Sequence, residues 1–314
     1  MKTEGIKHIS IIGTGMIGSS LATLCTGNGY ATTMYAINET EAERGMKSYD
    51  SNFRGLIKQG LVTEKQYETC KKLLKITHSY EDLADTDFIF ECVFEKLEVK
   101  YDVYKNIEKN CKGFKAIASS TSAISAQDLA LGLIQKDKLV VAHPWNPPHL
   151  VPCVEVVKSP YTSEETVKVV KDTLESMGRK VALMKKDAPG FIGNRLQHAL
   201  IREAVNIIES GIAEPEDIDI TLKYSFMPRY TSIGLFEHQD NAGLDLVDNI
   251  EKYLFKDLST AQTTQKYIKD KVTAGELGIK TGKGIYDWSK KDLDDFYYRA
   301  QKPYFQFFNW KLPQ

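Results

Sequence analysis

The chain lacks any run of about twenty apolar residues, the length a membrane-spanning helix requires, so no membrane span is expected. It also lacks charge of one dominant sign: 41 Lys and Arg stand against 42 Asp and Glu in 314 residues. A net charge of -1 supplies no global field for nucleic acid or an anionic membrane, and neither partner is expected. Cysteine is scarce. Cys25, Cys70, Cys92, Cys111 and Cys153 make an odd count without a CxxC spacing. That argues against a disulfide framework or a structural zinc site, and no metal is expected. Three of them sit in apolar surroundings and read as small buried residues. The opening MKTEGIKHISII passes from a charged stretch straight into a strand-like run, with no long apolar region or cleavage site. A secretory leader is therefore not expected, and the cytoplasm is the expected location. Proline is sparse too, ten in all, yet four fall inside AHPWNPPHLVPCVEV at 142–156. Neither a helix nor an interior strand tolerates that density.

What remains is an ordinary soluble composition, 42% hydrophobic and 26% charged, in a chain long enough for two domains. KHISII (7–12) reads as a buried strand, followed by a glycine turn and a helix with Ile17, Leu21 and Leu24 at helical spacing. Further strands are expected at 31–36, 87–94, 115–120, 138–143, 154–157 and 180–184. Between the second and third, a polar helical region is expected to run to about residue 76, with a break at Gly60. Strands alternating with helices predict an α/β fold: a Rossmann-like, doubly wound parallel sheet. After DAPGFIGNR (187–195) strand signals stop. Leu196, Ala199, Leu200, Ala204, Ile207 and Ile208 recur at helical spacing, Gly211 ends that helix, and Pro215 with Glu216 and Asp217 suits the next first turn. The expected division is 1–188 for the sheet domain and 189–314 for an all-helical C-terminal domain.

Gly13-Thr14-Gly15-Met16-Ile17-Gly18 fits GxGxxG between a strand and a helix, the setting the dinucleotide fingerprint requires. Gly13 permits the tight turn, Gly15 admits a pyrophosphate to the backbone, and Gly18 lets the helix pack closely on the sheet. The helix N-terminus offers free N–H groups to the phosphates. An acidic residue is expected at the end of the second strand, to hold the adenosine ribose. Ala36 stands there instead; Glu39 comes three residues late, and Arg44 is the nearest arginine. NAD is favoured, with NADP left open.

His143 lies at the end of an expected strand, where parallel sheets build their ligand sites, and Glu155 lies on the next one. A dehydrogenase needs a group to take the proton as hydride leaves the adjacent carbon. A histidine held in one tautomer by a carboxylate suits that task. The plainer readings are a hydrogen-bonded structural histidine and a solvent-facing carboxylate, but neither accounts for so much proline rigidity around both.

HPWNPPHLVPCVEVV resembles the signature of the L-3-hydroxyacyl-CoA dehydrogenase family. The resemblance extends through the glycine loop, ECVFEKLEVK (91–100), SSTSAIS (119–125), DAPGFIGNRL (187–196) and GELGIKTGKGIYDW (275–288), in that order along nearly the whole chain. It implies oxidation of an L-3-hydroxy compound with NAD and a homodimer formed through the C-terminal domain. By the same resemblance, His143 is the general acid/base and Glu155 orients it. Ser122 bonds the substrate oxygen, and Asn194 sits near that oxygen or the histidine. Glu95, Lys100, Asn146 and Lys280 contact the cofactor, along with Met16 and Ile17 of the loop. For Ser122, Asn194 and Lys280 the residues alone suggest only turn or cap chemistry.

Pro144 and Trp145 follow the histidine where the acyl-CoA branch has two aromatics. That feature, with SSTS, NRLQHALIREA and MPRYTSIG (227–234), looks more like the branch of lambda-crystallin, L-gulonate 3-dehydrogenase and carnitine dehydrogenase. Arg229 is then a candidate for a substrate carboxylate, or simply a surface arginine. Arg54, Lys58, Lys65, Lys71 and Lys72 offer charge for CoA phosphates but read more simply as a solvated helix face. The expected substrate is a CoA ester. A small free 3-hydroxy acid or carnitine is the alternative, and a non-catalytic dinucleotide-binding protein is the third reading. The aromatic tail FYYRAQKPYFQFFNWKLPQ is expected to pack on the helical domain or across a dimer interface.

Overall fold

Short runs of β-branched and aromatic residues become eight strands: β1 (His8–Ile12), β2 (Ala31–Tyr35), β3 (Leu74–Thr77), β4 (Phe88–Glu91), β5 (Ala116–Ser119), β6 (Leu139–Pro144), β7 (Cys153–Lys158) and β8 (Lys180–Met184). The computed structural model describes residues 2–313. The strands form one sheet in the order β3-β2-β1-β4-β5-β6-β7-β8. Alternate residues go to opposite faces, as the strand period demands. Ile9, Ile11, Phe88 and Phe90 join one apolar cluster; Ile12, Ile89 and Ile117 join the other. Both faces are therefore covered, and each fully buried Ile or Phe contributes about 1.5–3 kcal/mol. The covering helices are α1 (Met16–Gly27), α2 (Glu39–Lys58), α3 (Glu64–Lys71), α4 (Leu97–Asn110), α5 (Ala126–Leu131) and α6 (Glu164–Ser176).

The strand order reverses at β1, which lies between β2 and β4 and parallel to both. A crevice for a ligand opens at the carboxyl ends of strands around such a switch point. Two features differ from the sequence expectation. The polar region after β2 does not stay helical to residue 76: α3 stops at Lys71, and LKIT pairs with β2 as edge strand β3. Four residues are too few to show an alternating pattern of their own. The sheet is also not wholly parallel. β7 runs antiparallel to β6, while β8 returns parallel to β7. The connection through residues 145–152 is too short for a crossover helix, so the chain turns back on itself.

The chain divides between Ile192 and Gly193, a few residues beyond the expected boundary. The second unit, Gly193–Tyr297, contains α7 (Gly193–Glu209), α8 (Pro215–Tyr224), α9 (Leu235–Ala242), α10 (Leu244–Leu254), α11 (Lys266–Thr273) and the start of α12 (Leu293–Phe305). Among its described residues the only β-bridges are two isolated ones at 278–287. From Tyr298 the chain belongs to the first unit again. Only Phe296 and Tyr297 of the aromatic tail stay with the helical unit, Phe296 packing 4.9 Å from Trp288; the rest joins the sheet unit, contrary to the first expectation for it. Trp310 enters the cluster on the sheet, 6.4 Å from Phe53 and 4.7 Å from Phe308 between ring centroids. Gly27 makes room for it, since a Cβ there would lie 2.3 Å from the indole. Among the described residues no helix is long and apolar enough to cross a membrane.

Candidate active site

The glycine loop leaves β1 at Gly13, whose φ of +109° suits glycine alone; a Cβ there would strike the Cys92 carbonyl oxygen at 2.7 Å. A Cβ at Gly18 would lie 2.0 Å from the Gly13 oxygen, so α1 packs directly on the turn. At Gly15, the N-cap of α1, a Cβ would meet nothing within 4 Å, and no side chain caps the helix. The loop is therefore an open cradle of backbone N–H groups at a positive helix end. Beside it lies a cavity of about 590 Å³, lined by Gly13–Gly15, Tyr35–Asn38, Glu41, Arg44, Tyr80 and Cys92–Phe94. These residues fit a dinucleotide. Met16 is exposed, whereas Ile17 packs against the core.

On the other side of the switch point, β6 and β7 place His143 directly opposite Glu155 in antiparallel register. Side chains of such a pair share a face of the sheet. His143 Nδ1 lies 2.9 Å from Glu155 Oε2, and the carboxylate is 1% exposed. Oε1 of the same carboxylate accepts the Ile192 N–H at 2.8 Å. That N–H is aimed by Phe191, which adopts φ of +49°, a left-handed conformation that costs a non-glycine residue energy. Its ring packs 5.2 Å from the imidazole, with Trp145 at 6.3 Å from a second direction. Phe191 also lines a small pocket with Ser122, Ala123 and Pro189, which puts Ser122 and His143 around one aromatic ring.

The proline-rich excursion between β6 and β7 is tied down from both ends. Leu150 and Val151 N–H both donate to the Pro147 carbonyl at 2.9 Å. Buried Arg179 donates to the carbonyls of Pro148 and Val151 at 3.1 and 3.2 Å. Its burial without a carboxylate lowers its pKa to about 10. His149 reaches α1: Ser20 Oγ accepts its backbone N–H at 3.0 Å and lies 2.8 Å from Nδ1. Burial, reinforced by Arg179, depresses the His149 pKa to about 4.

A second buried network runs between β4, β5 and α4. Glu91 is wholly buried and accepts from Lys100 Nζ (2.8 Å), Tyr104 (3.0 Å), Ser119 (2.6 Å) and the Val93 N–H (2.9 Å). Lys100 also lies 3.4 Å from Glu95. Glu95 accepts the Thr121 hydroxyl and the N–H groups of Ser122 and Ala123 at 3.0 and 3.1 Å. Burial opposes its charge, yet Thr121, Lys100 and the two amides together hold its carboxyl below the usual range. Glu95 thus shapes the Ser122 loop. Lys100 has no exposed surface, which contradicts the expected direct cofactor contact; it fixes two carboxylates instead. Asn146 is exposed in the excursion.

Three expected residues belong to the helical unit. Asn194 is half-buried in the first turn of α7, Lys280 is exposed in a short 3-10 helix, and exposed Arg229 lies 3.2 Å from His238 Nε2. Of the basic residues considered for CoA phosphates, Arg54 already pairs with Glu64 and Lys71 with Asp50. Sequence reasoning missed Glu91, Phe191 and His149. Only the close spacing of Glu91, Glu95 and Lys100 hinted at a network.

The glycine cradle and a carboxylate-held histidine on one doubly wound sheet define a nucleotide-binding oxidoreductase. The chain belongs to the 3-hydroxyacyl-CoA dehydrogenase family: residues 8–188 match its NAD binding domain and residues 190–288 its C-terminal domain. Among its relatives is 5-formyl-3-hydroxy-2-methylpyridine 4-carboxylate 5-dehydrogenase of Mesorhizobium japonicum, 30% identical over 90% of each chain. A probable 3-hydroxybutyryl-CoA dehydrogenase of Bacillus subtilis is 30% identical over 91% of this chain and 99% of that one. The L-carnitine dehydrogenase of Oceanobacillus iheyensis is 32% identical over 74% of each. A crystal structure of the pyridine carboxylate 5-dehydrogenase, described as an NAD+ dependent dismutase, superposes with a TM-score of 0.83 at 28% identity, covering 95% and 96% of the two chains.

Proposed function

We propose that this protein oxidises the 3-hydroxyl of an L-3-hydroxyacyl-CoA, and reduces the corresponding 3-oxo ester, with NAD as the favoured cofactor. The observation that carries the reading is the His143–Glu155 pair, buried at the carboxylate and set by strand register beside the switch point of a dinucleotide-binding sheet. A bound nicotinamide would supply the hydride chemistry at the 3-carbon. His143 Nε2 removes the hydroxyl proton, and Glu155 holds the other ring nitrogen and stabilises the imidazolium that forms. Ser122 donates to the reacting oxygen from a loop that Glu95 fixes, and Asn194 assists at the same oxygen. Asn146, Lys280 and the cradle residues Gly13, Gly15 and Gly18 hold the cofactor, while Lys100 positions Glu95. Leu196, Ile212, Tyr224 and Phe236 of the helical unit are exposed apolar residues, which favours a homodimer through that unit.

A free carboxylate substrate is the second reading. It is favoured by Pro144 after the histidine, by Arg229, by the two local ion pairs that engage Arg54 and Lys71, and by the pyridine carboxylate and carnitine relatives. The test is NADH oxidation with acetoacetyl-CoA beside 3-dehydrocarnitine and free acetoacetate. Turnover of the ester supports the first reading. Turnover confined to a free compound, and lost in Arg229→Ala, supports the second. In either case His143→Gln is expected to cut turnover about 10²–10⁴-fold while NADH binding stays intact; normal turnover in that variant removes the histidine from the mechanism.

A further inference from the structure

Three glutamates follow β2, and the structure separates their roles. Glu39 is turned to His78, whose Nε2 lies 3.0 Å away while its Nδ1 lies 2.9 Å from the Ala36 carbonyl oxygen. Glu43 is exposed and does not line the cavity beside the glycine loop. Glu41 does line it, from the first turn of α2, together with Ala36, Asn38 and Arg44.

Glu41 is held firmly against the loop. Thr14 Oγ1 donates to its carbonyl oxygen at 2.8 Å, and its N–H is capped by Asn38 Oδ1 at 2.9 Å. Gly45, one turn on, lets α2 approach so closely that a Cβ there would lie 2.6 Å from Thr14 Cβ. Arg44 Nη1 reaches Glu41 Oε1 at 3.0 Å, and among the described residues no donor engages Oε2. The carboxylate therefore stands at the cavity wall with one oxygen oriented by a cation and the other available.

A dinucleotide-binding sheet selects NAD by presenting a carboxylate to the adenosine ribose hydroxyls, and Ala36 cannot do this. We infer that Glu41, reaching from α2 rather than from the end of β2, supplies the missing carboxylate to the ribose diol, with Arg44 as its positioning residue, and so sets the preference for NAD over NADP. The inference rests on the reading of this cavity as a dinucleotide site. A 2′-phosphate would face the Glu41 carboxylate at the place where the diol would donate to it. Removing Glu41 would both delete that repulsion and free Arg44 to meet the phosphate.

The experiment titrates the full-length protein with NADH and NADPH by nucleotide fluorescence, and with 5′-AMP and 2′,5′-ADP by calorimetry. It compares wild type, Glu41→Gln, Glu41→Ala, Arg44→Ala and the two Glu41 variants combined with Arg44→Ala, with circular dichroism to verify folding. The expected result is tighter binding of NADH than of NADPH by the wild type. NADH and 5′-AMP should weaken roughly 10- to 100-fold in both Glu41 variants, the span of one or two charged hydrogen bonds. NADPH and 2′,5′-ADP should hold steady or tighten in those variants, and lose that gain when Arg44→Ala is added. NADH affinity in both Glu41 variants within about twofold of wild type, or a wild type that prefers NADPH, overturns the inference while leaving the dinucleotide site standing. Failure of the wild type to bind either dinucleotide overturns the site and the inference together.

Discussion

Glu155→Gln is the substitution on which the chemistry turns. The side chain keeps its size, so its effect is one of hydrogen-bond polarity. In the native protein both carboxylate oxygens accept: one faces His143 Nδ1 at 2.9 Å, the other takes the Ile192 N–H at 2.8 Å. An amide offers one acceptor and one NH₂. If its oxygen keeps Ile192, the NH₂ faces Nδ1 and forces the proton onto Nε2, the atom that must accept from substrate. If its oxygen keeps Nδ1–H, the NH₂ confronts the Ile192 N–H, and a buried donor goes unpaired at a cost of about 1–3 kcal/mol. The imidazolium loses its counter-charge either way. The expected loss in kcat is about 10²–10⁴-fold, or about 3–5 kcal/mol of barrier. Stability should fall by only about 1–3 kcal/mol, within the margin of a typical domain. Steady-state kinetics on whichever substrate the protein turns over, with NADH binding and urea denaturation on the same preparations, checks both. A variant with near-native kcat, or one whose lost activity tracks lost NADH binding, refutes this account of the dyad.

His149 should mark the acid limb of stability. Its native pKa of about 4 lies below the ordinary 6.5, so between those values the unfolded chain takes a proton the native chain refuses. Its contribution is complete above about pH 6.5 and fades toward pH 4, by on the order of 3 kcal/mol; His149→Asn should flatten that part of the curve in denaturant titrations, and an unchanged slope argues against it. Trp310→Ala should cost about 3–5 kcal/mol and Trp310→Phe far less, because the indole N–H has no partner in the described structure; equal unfolding midpoints for wild type and Trp310→Ala would show the tail does not brace the sheet. Lys100→Met should cost about 3–5 kcal/mol by leaving Glu91 buried and uncompensated, and adding Glu91→Gln should recover part of it. Strictly additive losses in that pair would mean the two residues are not coupled.

The sheet could be read because its strands are short apolar runs bounded by turns, and the dyad because His143 and Glu155 stand on consecutive expected strands at either end of a proline-rich segment. β3 escaped because LKIT follows a helix directly, with too little length to declare a period. The reversal of β7 escaped because strand direction is a property of the connection and not of VEVV itself. Lys100 shows the limit of motif transfer. Its place in FEKLEVK pointed to the cofactor, but only coordinates reveal that the side chain turns inward to Glu91. Phe191 could not be foreseen, since nothing in DAPGFIGNR says which residue takes the left-handed turn. Likewise, spacing after β2 offered Ala36, with Glu39 three residues late, and nothing in it shows that the helix capped by Asn38 brings Glu41 to the cavity wall.

The return of the tail makes the helical unit an insertion: the chain leaves the sheet unit after Ile192 and rejoins it at Tyr298. The two ends of the described chain then meet. Lys2 and Pro313 line one small pocket with Asn28 and Tyr30, and the Lys311 N–H donates to Asn28 Oδ1 at 3.3 Å. A short flexible linker would join them without disturbing either unit, and new termini could be opened at the crossing after Ile192. In such a permuted chain the helical unit would come first, followed by the tail, the linker and the rest of the sheet unit. By contrast, a fragment cut at residue 288, where the family's C-terminal match stops, would discard Trp310 and open the core of the unit at the opposite end of the sequence.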